Sequence, residues 1–246
     1  MHNGEGRGSL NTAIPVSAKR CAFALALGVA VLIAASTGAS LLSLVDVRDP
    51  FLREVRESVV RLAWVDGEGN IPTWYSAALL LISCLLLSAI ARVHRRKGLG
   101  FVGHWLILSL VFLYLSLDET AQLHELSIPP IRSAFGTTGL LYYGWIVPAG
   151  ICVALLVLSY QRFLRNLPPR TRHLFLLAGA VFVSGAIGVE AVSGLQASVH
   201  GEESLAYHVI ITLEELLEMS GVVLFIYALL DYMGHQISRL SFDIHS

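Results

Sequence analysis

Three stretches of this 246-residue sequence place carboxylates next to apolar residues. The first is SLDETAQLHE at positions 116–125, the second is TLEELLE at 212–218, and the third surrounds Glu190. Carboxylate and imidazole groups bind divalent metal ions, and ionisable residues inside a membrane usually mark functional sites. The sequence therefore predicts a metal site with these candidate ligands: Asp118, Glu119, His124, Glu125, Glu190, His208, Glu214, Glu215 and Glu218.

The expected cofactor is one divalent ion or a pair of them. Mixed carboxylate and imidazole ligands suit Zn, Mn or Fe, and neither the His-Glu-x-x-His nor the Glu-x-x-His pattern is present to select among them. A metal-bound water would be a nucleophile near neutral pH, with a spare glutamate as general base. This chemistry suits a hydrolase acting on a lipid-like substrate, and an iron site would suit an oxidoreductase equally well.

Few basic residues are available to neutralise these acids. Arg132 is the only Lys or Arg between Lys97 and Arg162, and none occurs between Arg172 and Arg239. An ionised Asp at the centre of a membrane helix costs about 2.5–3.5 kcal/mol. The acids must therefore be protonated, bind a cation, or pair with arginines of the first outer connection.

The elements that position these acids are expected to be membrane-spanning helices. Hydrophobic residues make up 55% of the chain and charged residues 14%, and the mean hydropathy is +0.67. A spanning helix needs about 20 mainly apolar residues. Six segments meet that requirement and predict an all-α, polytopic six-helix bundle: 21–45, 73–93, 101–125, 140–163, 174–200 and 205–233.

The distribution of Lys and Arg predicts the orientation. Basic residues cluster before the first span, between the second and third, and between the fourth and fifth, so those sides are expected to be cytoplasmic. This gives cytoplasmic tails at 1–20 and 234–246 and a membrane domain at 21–233, in a multi-pass protein of the inner (cell) membrane. Residues 48–63 have the apolar spacing of an amphipathic helix lying in the membrane interface. The first span is expected to be a retained anchor because its uncharged run is longer than that of a cleaved signal peptide, which is the alternative.

Helical periodicity arranges the acids on two faces. At 100° per residue, Asp118, Glu119 and Glu125 fall within an arc of about 120° on the third span, and His124 lies off it. His208, Glu214, Glu215 and Glu218 occupy a similar arc on the sixth span. These two faces are expected to meet inside the bundle, with Glu190 delivered by a small-residue stripe on the fifth span.

Several other functions remain open. A layer of carboxylates also suits a proton- or metal-coupled carrier. A scaffold could pair the acids with outer-loop arginines or with a partner subunit. Haem b could use His104 and His173 near the inner helix ends, with His124 and His200 near the outer ends. The helices that carry acids and histidines resemble those of membrane hydrolases related to ceramidases, but the His-x-x-x-His pair of that family is missing, so the resemblance assigns no residue a role. The expected partners are membrane lipids and not nucleic acid, since the net charge is −1. An oligomer or a partner subunit is left open.

Overall fold

The computed structural model of the chain describes residues 17–237, and these residues form helices and turns without a strand. Short 3-10 turns lie at Glu125–Ser127 and Gly139–Leu141, and π-helical segments lie at Ser184–Val189 and Met233–Ile237. The predicted all-α class is confirmed. The helices are α1 Ala18–Ser43, α2 Pro50–Ala63, α3 Ile71–Arg96, α4 Val102–Ala121, α5 Ile128–Phe135, α6 Ile146–Asn166, α7 Pro169–Val183, α8 Glu190–His200 and α9 Leu205–Tyr232.

Polar side chains fix where several of these helices begin. Asp49, Asn70 and Ser204 each accept a hydrogen bond from the backbone N–H three residues later, at 2.9, 3.1 and 3.2 Å. Such caps satisfy N–H groups that have no partner within the helix. Proline in the first turn of α2, α3, α5 and α7 adds to these start signals, because its ring already holds the helical φ.

Within residues 17–237, five helical stretches are long and apolar enough to cross a membrane. They are α1, α3, α4, α6 and the continuous stretch from Pro169 to His200. The sixth predicted span corresponds to α9, which has 28 residues but is not one of the five. Its three glutamates, Glu214, Glu215 and Glu218, interrupt the apolar run. The predicted count of six spans is therefore not confirmed.

Helix α9 lies at the centre of the fold and contacts α1, α3, α7 and α8, while α3 packs along α4. One core cluster surrounds Trp105, Phe163 and Leu229, and another surrounds Leu79 and Met219. Large apolar side chains on the outer faces of α1, α4 and α6 remain exposed. An exterior of this kind matches lipid rather than water.

The two ends of the bundle differ in charge. The His94 ring lies 2.9 Å from the Tyr232 hydroxyl, which places the end of α3 beside the end of α9. We call this the arginine-rich end, defined by Lys19, Arg20, Arg95, Arg96, Arg165 and Arg170. The opposite end, where α4 and α8 finish and α9 begins, is called the acidic end.

Helix α2 coincides with the segment predicted to be amphipathic. None of its residues is buried within the chain, and its apolar side chains Phe51, Leu52, Val55 and Val59 are exposed. The outermost parts of the two predicted tails, 1–16 and 238–246, lie outside the described residues.

Candidate functional site

The end of α4 differs from the sequence prediction. The helix stops at Ala121 because Gln122 adopts a left-handed conformation with φ of 51°, and its backbone N–H donates to the Asp118 carbonyl at 2.6 Å. His124 and Glu125 therefore lie in the following turn. The prediction that Glu125 shares a helical face with Asp118 is wrong, because the helical period does not continue past Gln122.

The turn brings His124 back onto Asp118. The Asp118 carboxylate is buried and accepts two hydrogen bonds from His124, one from the backbone N–H to Oδ1 and one from Nδ1 to Oδ2, both 2.8 Å. His124 lies off the helical arc of the acids, as expected, but the turn returns it to Asp118, so one carboxylate orients both the turn and the imidazole. A buried Asp that fixes a His in one tautomer leaves Nε2 available for proton exchange.

Two further acids are held by polar side chains on neighbouring elements. The Trp145 indole donates to Glu190 Oε1 at 2.7 Å, and its ring centroid lies 4.5 Å from that of His124. The Ser193 hydroxyl donates to Glu214 Oε2 at 3.0 Å. Trp145 therefore connects the Asp118–His124 pair to Glu190, and α8 contacts α9 through Ser193 and Glu214.

The remaining acids complete one cluster. The Glu215 carboxylate is repelled by the charges of Glu119, Glu214, Asp66 and Glu190, and the Glu218 carboxylate by those of Glu215, Glu119, Glu214 and Glu190. We call this set the acid cluster: Asp118, Glu119, Glu190, Glu214, Glu215 and Glu218. These carboxylates come from α4, α8 and α9. That they form one functional site stays a prediction.

An irregular backbone adjoins the acid cluster. The segment Ser184–Val189 is π-helical and leads directly into Glu190. A Cβ atom at Gly185 would lie 2.9 Å from both the Glu214 carbonyl oxygen and the Glu218 Cγ. Only glycine fits this approach without a shift of the neighbouring chain, and π-helical turns often occur at functional sites.

Two predicted ligands lie outside the cluster. The His208 ring makes an edge contact with Trp64 at 4.6 Å between centroids. Its Nδ1 is buried and has no hydrogen-bond partner within residues 17–237. Glu125 is exposed and its charge interacts with that of Glu68. Glu125 therefore lies at the rim of the acidic end, while His208 packs against Trp64 with a buried Nδ1.

No Lys or Arg in the described part of the chain pairs with the acid cluster. Among residues 17–237, the arginine ion pairs within 4.0 Å are Arg56 with Glu57 and Arg170 with Asp231. Arg132 instead donates to the Tyr142 carbonyl at 3.0 Å and stacks on the Tyr142 ring. The structure therefore gives no support to neutralisation by arginines of the outer connection.

The described residues do not contain a formed metal centre. Across positions 17–237, no group of three or more His, Cys, Asp or Glu side chains is arranged to hold a metal ion. The predicted metal site is accordingly not supported, although the acids do converge. Carboxylates can lie close enough to repel each other without their oxygens meeting at one point.

Sequence reasoning missed the aromatic residues and the loop at this end. The Tyr143 and Tyr207 hydroxyls lie 3.1 Å apart, and that of Tyr143 also donates to Glu202 at 3.3 Å. The loop at 64–70 is fixed by the Val65 N–H donating to the buried Ser36 hydroxyl at 3.1 Å. The enrichment of Trp and Tyr in the outer connections was the available signal.

The ionisation of two groups at this end follows from their surroundings. Desolvation by the surrounding residues and the negative charges of Glu202, Glu125 and Glu68 raise the pKa of the Asp66 carboxyl to about 7. Burial alone would lower the pKa of His124, but its hydrogen bond to Asp118 and the nearby negative charges outweigh burial and raise it. The His124 charge therefore stabilises the fold at low pH, and this contribution is lost as the pH rises through the raised pKa.

We expect Asp66→Asn to stabilise the protein at alkaline pH. Because the folded-state pKa is raised, ionisation of Asp66 opposes folding fully above about pH 7, and the penalty fades as the pH falls towards the ordinary value of 3.8. Because Asp66 is exposed to solvent, screening leaves only part of this penalty, so the variant should unfold roughly 2 °C above wild type at pH 8. The difference should shrink at pH 6 and vanish near pH 4. Thermal unfolding in detergent measures it, and Glu54→Asn on exposed α2 is the control. An equal shift at every pH would contradict the assignment.

A family model described as a domain of unknown function, DUF8692, matches residues 24–233. The chain belongs to this family. The match includes every residue of the acid cluster, so the site lies within the DUF8692 domain. No curated protein and no solved structure matches the chain.

Proposed function

We propose that this DUF8692 protein is a carrier in the inner membrane that exchanges protons for a cationic solute at the acid cluster. In this proposal α9 is the sixth span and both termini are cytoplasmic, which places the acidic end outside. The observation that carries the proposal is a set of carboxylates from three helices that converge without a Lys or Arg of the described chain beside them.

The electrostatics of such a cluster support exchange. Carboxylates this close cannot all be ionised in an apolar layer at low cost, so the cluster holds protons or a positive ligand. Binding of one displaces the other because both neutralise the same charges. Competition of this kind is what a proton-coupled carrier needs.

The surroundings favour an organic cation over a bare metal ion. Trp145 donates to Glu190 of the acid cluster and Tyr143 donates to Glu202 outside it, and aromatic faces combined with carboxylates recognise ammonium groups. The carboxylates are not gathered into a metal-binding group within residues 17–237. Carboxylates whose oxygens do not meet at one point suit a ligand carrying several N–H donors, and we therefore place organic amines ahead of the divalent ion expected from the sequence.

The π-helical segment before Glu190 also supports a carrier. Alternating access requires an element that changes conformation at the binding site, and transporters often use interrupted helices there. In this protein the interruption lies at Ser184–Val189, beside Glu214 and Glu218 of α9.

Proton movement in sealed vesicles tests the proposal. Purified protein is reconstituted into vesicles that contain a pH-sensitive dye, and spermidine, tetramethylammonium or Mn²⁺ is added outside. We expect spermidine to drive proton efflux from vesicles containing the protein and not from empty ones. Proton flux with Mn²⁺ alone would mean that the exchanged solute is a metal ion. The absence of flux with every cation would overturn the proposal that the protein is a carrier.

A second candidate, hydrolytic or redox chemistry on a lipid-like substrate, is favoured by the Asp118–His124 pair. A His oriented by a buried Asp is a competent general base, and a divalent ion such as Zn, Mn or Fe held by nearby carboxylates would supply a reactive water. An enzyme of this kind works in detergent, whereas a carrier needs a sealed membrane. Substrate turnover in detergent that is lost in His124→Ala would favour this candidate.

A further inference from the structure

A groove lies between α1 and α9 on the outside of the bundle. It has a volume of about 420 Å³ and opens outward rather than into the core. Apart from Ser220 and the Tyr227 hydroxyl, its lining is apolar. The residues that form its walls include Ala22, Phe23, Ala26, Ala30, Leu216 and Leu224.

Small side chains on α1 create this space. Ala22, Ala26 and Ala30 recur at four-residue spacing, so they lie on one face of the helix. From Ala22 to Ala30 the helix rises about 12 Å, close to the roughly 15 Å depth of one leaflet's hydrocarbon layer. The length and the apolar lining match the acyl chain of a lipid.

Positive charges lie at one end of the groove. Lys19 precedes Phe23 by four residues and therefore shares its face of α1, and both Lys19 and its neighbour Arg20 are exposed. Across the groove, an Arg170 guanidinium N–H donates to the Tyr227 hydroxyl at 2.9 Å. The groove thus ends among three basic residues contributed by α1 and α7.

One acidic residue offsets part of this charge. Asp231 is buried and forms two contacts of 3.1 Å with the Arg170 guanidinium. Lys19 and Arg20 have no ion-pair partner within 4.0 Å in the described chain. A net positive charge therefore remains where a lipid phosphate would lie if its acyl chain occupied the groove.

We propose that the α1–α9 groove binds one anionic phospholipid, with an acyl chain against Ala22, Ala26 and Ala30 and its phosphate beside Lys19 and Arg20. The length of the apolar groove explains why the ligand is a lipid and not a free anion. The basic residues at its end explain why an anionic headgroup is preferred. The phosphate position beside Lys19 and Arg20 lies at the arginine-rich end, whereas the other end of the groove reaches Leu216, next to Glu215 of the acid cluster.

Lipid titration measured by native mass spectrometry tests the site. Detergent-solubilised full-length protein is titrated with phosphatidylglycerol, phosphatidylcholine and inorganic phosphate. We expect a saturable first site for phosphatidylglycerol, markedly weaker phosphatidylcholine binding, and no phosphate adduct. Equal affinity for the two lipids, or phosphate binding as tight as lipid binding, would overturn the proposal.

Matched variants distinguish binding in the groove from a general attraction of anionic lipids to positive charge. Near an anionic lipid each basic residue contributes about 1 kcal/mol, so Lys19→Gln with Arg20→Gln should weaken phosphatidylglycerol binding roughly 30-fold. The control is Arg95→Gln with Arg96→Gln, which removes two exposed charges at the same end but away from the groove. Equal losses in both double variants would overturn the site.

A groove-filling variant tests the acyl contact. Ala26→Phe keeps every charge and should abolish the first phosphatidylglycerol site while leaving the helical content, measured by circular dichroism, unchanged. Undiminished binding in a folded Ala26→Phe protein would show that the groove is not where the lipid lies.

Discussion

The Glu215→Gln variant is expected to lose cation-driven proton flux while becoming more stable than wild type. Removing one ionised contact to a bound cation weakens its binding free energy by roughly 1.5–3 kcal/mol. Flux at subsaturating spermidine should therefore fall by about 10-fold or more. The same change relieves repulsion from Glu119, Glu190 and Glu214. At pH 8 we expect a gain of about 1–2 kcal/mol in stability and an unfolding temperature several degrees higher.

This opposite movement of activity and stability distinguishes a functional cluster from a structural one. Residues retained for binding often lower the stability of the fold, so replacing them raises it. Replacing one partner of a structural ion pair lowers stability instead. Vesicle flux and thermal unfolding in detergent are measured on the same preparation, and Glu54→Gln on α2 should change neither. A Glu215→Gln protein that unfolds at a lower temperature than wild type would mean that Glu215 has a structural partner.

The gathering of the acids was predictable because it follows from solvation. Apolar runs of about 20 residues predict where helices cross, and carboxylates within such runs cannot face lipid. Asp118 and Glu119 on α4 and Glu214 and Glu215 on α9 therefore had to point inward. Asp118 and Glu214 are buried, as this argument requires, whereas their role as ligands stays a prediction.

The turn after α4 was not predictable in the same way. Gln122 carries no strong signal for ending a helix, and extending the 100° step past it placed His124 and Glu125 on the wrong faces. The conformation depends on Asp118 accepting both the backbone and the imidazole N–H of His124. A side chain that bonds to the chain six residues later competes with helix continuation, and periodicity does not include such competition.

The loop at 64–70 illustrates a different reason for failure. Trp64 and Asp66 reach the acidic end because the Val65 N–H donates to Ser36, 29 positions earlier, and because Asn70 bonds the Arg61 carbonyl. The contact between Val65 and Ser36 joins distant parts of the chain. No local pattern around Asp66 indicates that it approaches Glu202 and Glu125.

Gly185→Ala is expected to disturb both the packing and the site. Its Cβ would approach the Glu214 carbonyl oxygen and the Glu218 Cγ to 2.9 Å, so the π-helical segment must move away from α9. Overpacking of this kind costs about 1–3 kcal/mol, which should lower the unfolding temperature by about 3–10 °C. Proton flux should fall as well, because Glu190 follows this segment directly and would shift relative to Glu214.

Gly188→Ala is the matched control because it lies in the same π-helical segment and has no atom within 4 Å of its added Cβ. Its unfolding temperature and flux should equal or slightly exceed those of wild type, since alanine is the better helix former. If both substitutions lowered stability and flux equally, the π-helical backbone itself would require glycine. If neither substitution lowered stability or flux, the close approach of Gly185 to α9 would not be what brings Glu190, Glu214 and Glu218 together.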